Sequence, residues 1–106
     1  MHNEFLMPAG VETLIAALCA DYSRRAEVIC NRTAPYNVIM EYRFLNYRIM
    51  NAAIEAAGPH DAMIYIQDIG GNTGYASSDA FHISERTYKR RKKEVKHNIA
   101  RRLSLL

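Results

Sequence analysis

The sequence predicts an all-α protein, a helical hairpin followed by a helix-turn-helix that ends in a long basic helix. Three observations lead there. Apolar residues recur at three-four spacing over most of the chain. No segment alternates apolar and polar residues long enough for a strand; the nearest, 63–66, is short and lies between Asp61 and Asp68. Charge is divided as well. Residues 84–106 hold nine Arg and Lys against Glu85 and Glu94, a net +7, whereas residues 1–83 hold five Arg against nine Asp and Glu, a net −4. A mildly acidic body carrying one strongly basic element is the asymmetry of a protein that meets a polyanion.

The first helix is expected from about Val11 to about Cys30, because Val11, Leu14, Ile15, Leu18, Cys19, Tyr22 and Ile29 follow helical spacing and Glu12 suits the first turn. The stretch 31–35, ending in Pro35, breaks it. Asn37 is the expected cap of a second helix running to about Ala57, with Gly58 and Pro59 as its stop. Val38, Tyr42, Leu45, Ile49, Ala52 and Ala56 step by fours and threes, the seam of paired helices. Met40, Phe44 and Tyr47 fall on the other side. A helix apolar on two sides is either central in the fold or shared with a second subunit, so a homodimer through residues 11–57 and a purely intramolecular core stand equally open. Helices one and two should form an antiparallel hairpin. Asp61 is the expected cap of a third helix, Ala62 to about Ile69, while residues 70–74 read as a glycine-rich connector and Asp68 as solvated surface.

At 106 residues and 12.1 kDa the chain is one compact domain, close to the smallest size that supports its own core. Within it, residues 1–58 read as a supporting hairpin and 59–106 as the binding segment. A hydrophobic share of 49% with 24% charged residues excludes the disordered class. No run approaches the roughly 18 apolar residues of a membrane span, and the N-terminus lacks the pattern of a secretory signal. The expected location is cytoplasmic, with Cys19 and Cys30 as two buried thiols.

The informative segment is 75–93. A helix-turn-helix needs a small residue where its two helices cross, an apolar plug, a tight turn, and a polar cap on the second helix. Ser78 supplies the first, Phe81 the plug and His82 the turn; Ile83 packs just before the cap Ser84, and Glu85 suits the helix N-terminus. On a wheel at about 100° per residue, Tyr88, Val95, Ile99 and Leu103 share one side of the last helix. Arg86, Arg90, Lys93, His97 and Arg101 fall opposite, with Lys89 at the edge. Arg91 and Lys92 flank the apolar stripe and are expected to lay their stems along it, their heads reaching water or phosphate. Arg forks bind phosphates or the acceptor edge of guanine, and Lys supplies point charges, so a basic helix entered by a tight turn reads as a major-groove reader of double-stranded DNA. Six to nine cations near phosphates would give a steep salt dependence, about −0.9 in log–log slope per phosphate.

The string ISERTYKRRKKEV at 83–95 resembles the C-terminal helix-turn-helix of phage and prophage transcriptional regulators of the ArpU and RinA type, which is similar in turn to region 4 of bacterial sigma factors. The resemblance covers about residues 60–103. It implies a helical, DNA-binding protein that controls transcription, often of late phage genes; RNA polymerase is a further expected partner, as a protein on which the basic helix could dock. Carried over by position, it implies that Ser84, Glu85, Arg86, Lys89, Arg90 and Lys93 face bases or adjacent phosphates. Two features depart from the pattern: His82 stands where such motifs carry glycine, and the pair Ser77 and Ser78 replaces a more apolar pair.

Catalytic chemistry is not expected. His2, His60, His82 and His97 form no metal spacing with either cysteine, and no nucleophile, base and orienting group can be assembled. No cofactor or metal is expected. Tyr36, Tyr65 and Tyr75 could offer hydroxyls to phosphates, burial being the default for each. Two other readings stand beside the regulator: a phage packaging or recombination accessory protein that binds DNA, and a module that docks its basic helix on an acidic protein.

Overall fold

The computed structural model describes residues 7–71, 73–75 and 83–106. All its regular elements are helices: α1 Ala9–Ala20, α2 Tyr22–Asn31, α3 Tyr36–Ala57, α4 Ala62–Gly71 and α5 Glu85–Arg102. The fold is all-α. The expected first motif helix, with Ser77, Ser78, Phe81 and His82, lies outside the described residues.

The single helix expected over 11–30 is two helices divided at Asp21, whose backbone (φ −92°, ψ 0°) sits at the edge of the helical region. Asp21 is no helix breaker by type, so the cause is tertiary. The last carbonyls of a helix need donor partners, and the guanidinium of Arg25 donates to the Leu18 carbonyl at 2.6 Å. The same guanidinium donates to Asn46 at 2.8 Å and to Asp21 at 3.3 Å, while Asn46 donates to the Tyr22 carbonyl at 3.1 Å. Arg25 is buried among these groups, every one of its charge-assisted bonds replacing lost water. The break redirects the chain. The hairpin is therefore α2 on α3, not the whole first helix on the second, and α1 packs on α4.

The hairpin turn closes with Arg32 in the left-handed region at φ 52°, its N–H and that of Thr33 both bonding the Val28 carbonyl. The next helix starts two residues earlier than an Asn37 cap would place it: Pro35 is the N-cap, its fixed φ suited to a helix entry, and Asn37 sits inside the first turn. Gly58, at φ 85°, ends α3 as expected, donating its N–H to Ile54 at 2.8 Å.

The first half of α3 meets α2, and its second half meets α5, where Asn98 donates to the Ala52 carbonyl at 3.3 Å. Ile15, Cys19, Ile49, Ala52, Ala53, Tyr65, Ile66, Ile69, Tyr88, Val95, Ile99 and Ala100 make one core drawn from α1, α3, α4 and α5. Gly70 and Gly71 belong to α4 and not to a connector. A Cβ on Gly70 would stand 2.5 Å from the Ala20 nitrogen and 2.8 Å from the Cys19 carbonyl carbon, so the missing side chain is what lets α4 cross the end of α1. No helix among the described residues is long and apolar enough to cross a membrane.

Candidate nucleic-acid interface

The site begins with how α5 is started and held. Ser84 caps it as expected, accepting the Thr87 N–H at 3.1 Å, and Glu85 lies in the first turn beside the positive end of the helix. Just before the cap, the Ile83 carbonyl accepts the Tyr75 hydroxyl at 2.7 Å. Tyr88 faces inward. Its ring stacks on Tyr65 with centroids 5.1 Å apart and meets Tyr75 edge-on at 5.6 Å. Its hydroxyl donates to the carboxylate of Asp68, which also accepts from Thr73 at 2.9 Å. Asp68 is buried and not solvated surface: a carboxylate accepting two hydroxyls can leave water, and here it fixes the register of α5 on α4. Val95 and Ile99 continue the inward face and are fully buried, with Leu103 half-buried.

The nine cations of α5 then divide into three sets. The first is turned to the body. Arg91 lies 4.0 Å from Asp61, Lys96 pairs with Glu12 at 3.3 Å, and Arg101 and Arg102 reach Glu55 at 3.3 and 3.2 Å. Lys92 belongs with them, donating to the Thr73 carbonyl while its ammonium stands 6.0 Å from the Tyr88 ring centre. Burial and the neighbouring Lys96 hold Lys92 below the usual lysine range, against the pull of Asp68. The heads of Arg91 and Lys92 thus meet protein groups, where water or phosphate was expected. The second set, Lys89 and Arg90, is exposed and meets only carboxylates of its own helix, Glu85 at 3.1 Å and Glu94 at 3.8 Å. Exposed pairs at this spacing contribute about 0.3–0.5 kcal/mol, too little to hold either side chain against a phosphate. The third set, Arg86 and Lys93, is exposed with no ion pair among the described residues. His97 continues the same side of the helix but is half-buried.

The charge asymmetry seen in the sequence is therefore partly an internal complement: carboxylates of α1 and α3, with Asp61 ahead of α4, hold the second half of α5 and the flank at Arg91. What stays open is the outward side of its first half, carrying Arg86, Lys89, Arg90 and Lys93. These four span about 10 Å of helix at 1.5 Å per residue, two turns. Ser84 and Glu85 are exposed at the start of this strip.

Other candidates resolve differently. Tyr65 is buried and the Tyr75 hydroxyl is engaged, leaving Tyr36 exposed. Cys19 is buried, and burial pushes its thiol up to about 12, whereas Cys30 is exposed at the end of α2, correcting the expectation of two buried thiols. Among the described residues no group of three or more His, Cys, Asp or Glu could hold a metal ion. Sequence reasoning missed the Arg25–Asn46 cluster; an Asn one position from the apolar seam of α3 was the only signal. Comparisons with protein-family models, with characterised proteins and with solved structures find no match for this chain.

Proposed function

We propose that this chain binds double-stranded DNA and regulates transcription, laying the outward side of the first half of α5 in the major groove. The observation that carries the reading is the strip Arg86, Lys89, Arg90 and Lys93: exposed, free of any partner outside α5 among the described residues, and mounted on a helix whose opposite side is fixed by Tyr88, Val95 and Ile99. A rigid helix presenting unspent guanidinium and ammonium groups suits both phosphate positioning and guanine readout. Four phosphates per chain, fewer than the six to nine expected from sequence, are within reach of this strip, because Arg91, Lys92 and Lys96 face protein groups and the exposed Arg101 and Arg102 lie beyond it, turned to Glu55 of α3. The resemblance of residues 83–95 to ArpU- and RinA-type phage regulators supports transcription as the process. The protein acts in this proposal by binding and not by catalysis, in the cytoplasm where such DNA is read.

The test is fluorescence anisotropy of a labelled duplex at low salt, with wild-type protein and the Arg86→Ala/Lys93→Ala variant. The proposal expects binding by the first and a loss of at least about tenfold in the second, since each lost phosphate contact costs counterion release. No binding by the wild type would leave the acidic-protein reading in its place. Binding in large rings would favour a packaging role.

A further inference from the structure

The outward face of α3 is apolar, aromatic and unpartnered. Tyr36, Met40, Phe44 and Tyr47 lie within an arc of about 80° along the helix at 100° per residue. Tyr36 is 77% exposed, Phe44 59% and Tyr47 69%. Beside them runs a groove of about 440 Å³ lined by Met40, Arg43, Phe44 and Tyr47, continued toward α2 by a second of about 360 Å³. From rings of about 150–250 Å² each, the three aromatics alone leave on the order of 400 Å² in water, the size of patch that marks an interaction surface.

We infer that a second copy of this chain covers this face, with α3 packed antiparallel on α3 about a two-fold axis. The charges flanking the stripe choose the occupant. Glu41 and Arg48 are both exposed on the same edge, of opposite sign, with no ion pair among the described residues. Seven residues apart, they are separated by about 10 Å along one helix and cannot meet each other. In an antiparallel pair centred near Phe44, Glu41 meets the partner's Arg48 and Arg48 meets the partner's Glu41. The same register brings the two Phe44 rings together beside the two-fold axis. A two-fold contact must complement itself residue by residue, and this stripe does so in hydrophobicity and through Glu41 and Arg48. Two copies bury on the order of 1,000 Å² with Met40 and the Arg43 stem included, the lower bound of a specific interface. The pairing stands on α3 alone and does not depend on a DNA partner.

Sedimentation equilibrium of the full chain from about 1 to 100 μM reads the mass directly. The expected result is a shift from 12.1 kDa to twice that value with rising concentration. Phe44→Glu should weaken association by more than about a hundredfold, the effect of losing a central aromatic anchor on both sides. Because Phe44 is exposed, the variant should keep the wild-type circular-dichroism spectrum. Should it fail to fold, the charges carry the test: Glu41→Arg or Arg48→Glu alone should weaken the dimer by about tenfold, and the double reversal Glu41→Arg/Arg48→Glu should restore it. A wild type that stays at 12.1 kDa throughout overturns the pairing. So does a dimer indifferent to Phe44→Glu, or a double reversal no stronger than the single ones.

Discussion

Salt dependence separates the cations of α5 that would meet phosphate from those spent within the protein. If Arg86, Lys89, Arg90 and Lys93 each neutralise one phosphate, the slope of log K against log salt is about −3.6 per chain, at −0.9 per phosphate. Raising salt from 50 to 200 mM should then weaken binding about 150-fold. The Arg86→Ala/Lys93→Ala variant keeps two contacts, so its slope falls to about −1.8 and the same change costs about 12-fold. The variant's slope is half that of the wild type however many chains share a duplex. Neither alanine should unfold the protein, because both side chains are exposed and unpaired among the described residues. Arg91→Gln is the contrast: its head lies toward the buried Asp61, so it should lower the unfolding midpoint and leave the slope unchanged. Anisotropy titrations at four or five salt concentrations read all three. An unaltered slope in the double variant, or a slope lost with Arg91→Gln, would refute the partition of charges.

Other consequences are structural. Tyr88→Phe removes a hydroxyl from the buried Asp68 carboxylate and should destabilise the protein by about 1.5–3 kcal/mol in urea unfolding at unchanged m-value; a change below about 0.5 kcal/mol contradicts the role given to Asp68. Gly70→Ala pits helix propensity, a gain of about 1 kcal/mol, against a Cβ driven into the backbone of α1, and overpacking of about 1–3 kcal/mol or more should win, lowering Tm. A raised Tm would mean that the helices do not cross at that distance. With a thiol reagent at neutral pH, Cys30 should react at once and Cys19 only after unfolding, since the buried thiol, pushed up to about 12, offers no thiolate. Two fast equivalents would contradict that burial.

The parts of the molecule legible in the sequence are those fixed by local chemistry. Ser84 as a cap, the inward line of Tyr88, Val95 and Ile99, and the stop at Gly58 all follow from spacing and capping, which act within one or two turns. What escaped depends on groups far apart in the chain. Nothing local breaks a helix at Asp21; Arg25 does so by reaching back to Leu18 and across to Asn46. Nothing local buries Asp68; the Tyr88 hydroxyl, twenty positions on, makes it tolerable. On the wheel the outward side of α5 is one continuous stripe down to Arg101, but a wheel has no length. The second half of α5 lies along α3 and loses Arg101 to Glu55, so the open strip stops near Lys93.

The most direct measurement is a lysine-reactivity footprint of the protein with and without a bound duplex, read by peptide mass spectrometry. Lys89 and Lys93 should acylate readily in the free protein and become protected on DNA, while Lys92 and Lys96, already held by the Thr73 carbonyl and Glu12, should change little. Protection of Lys92 and Lys96 with Lys89 and Lys93 still reactive would put the duplex on another surface.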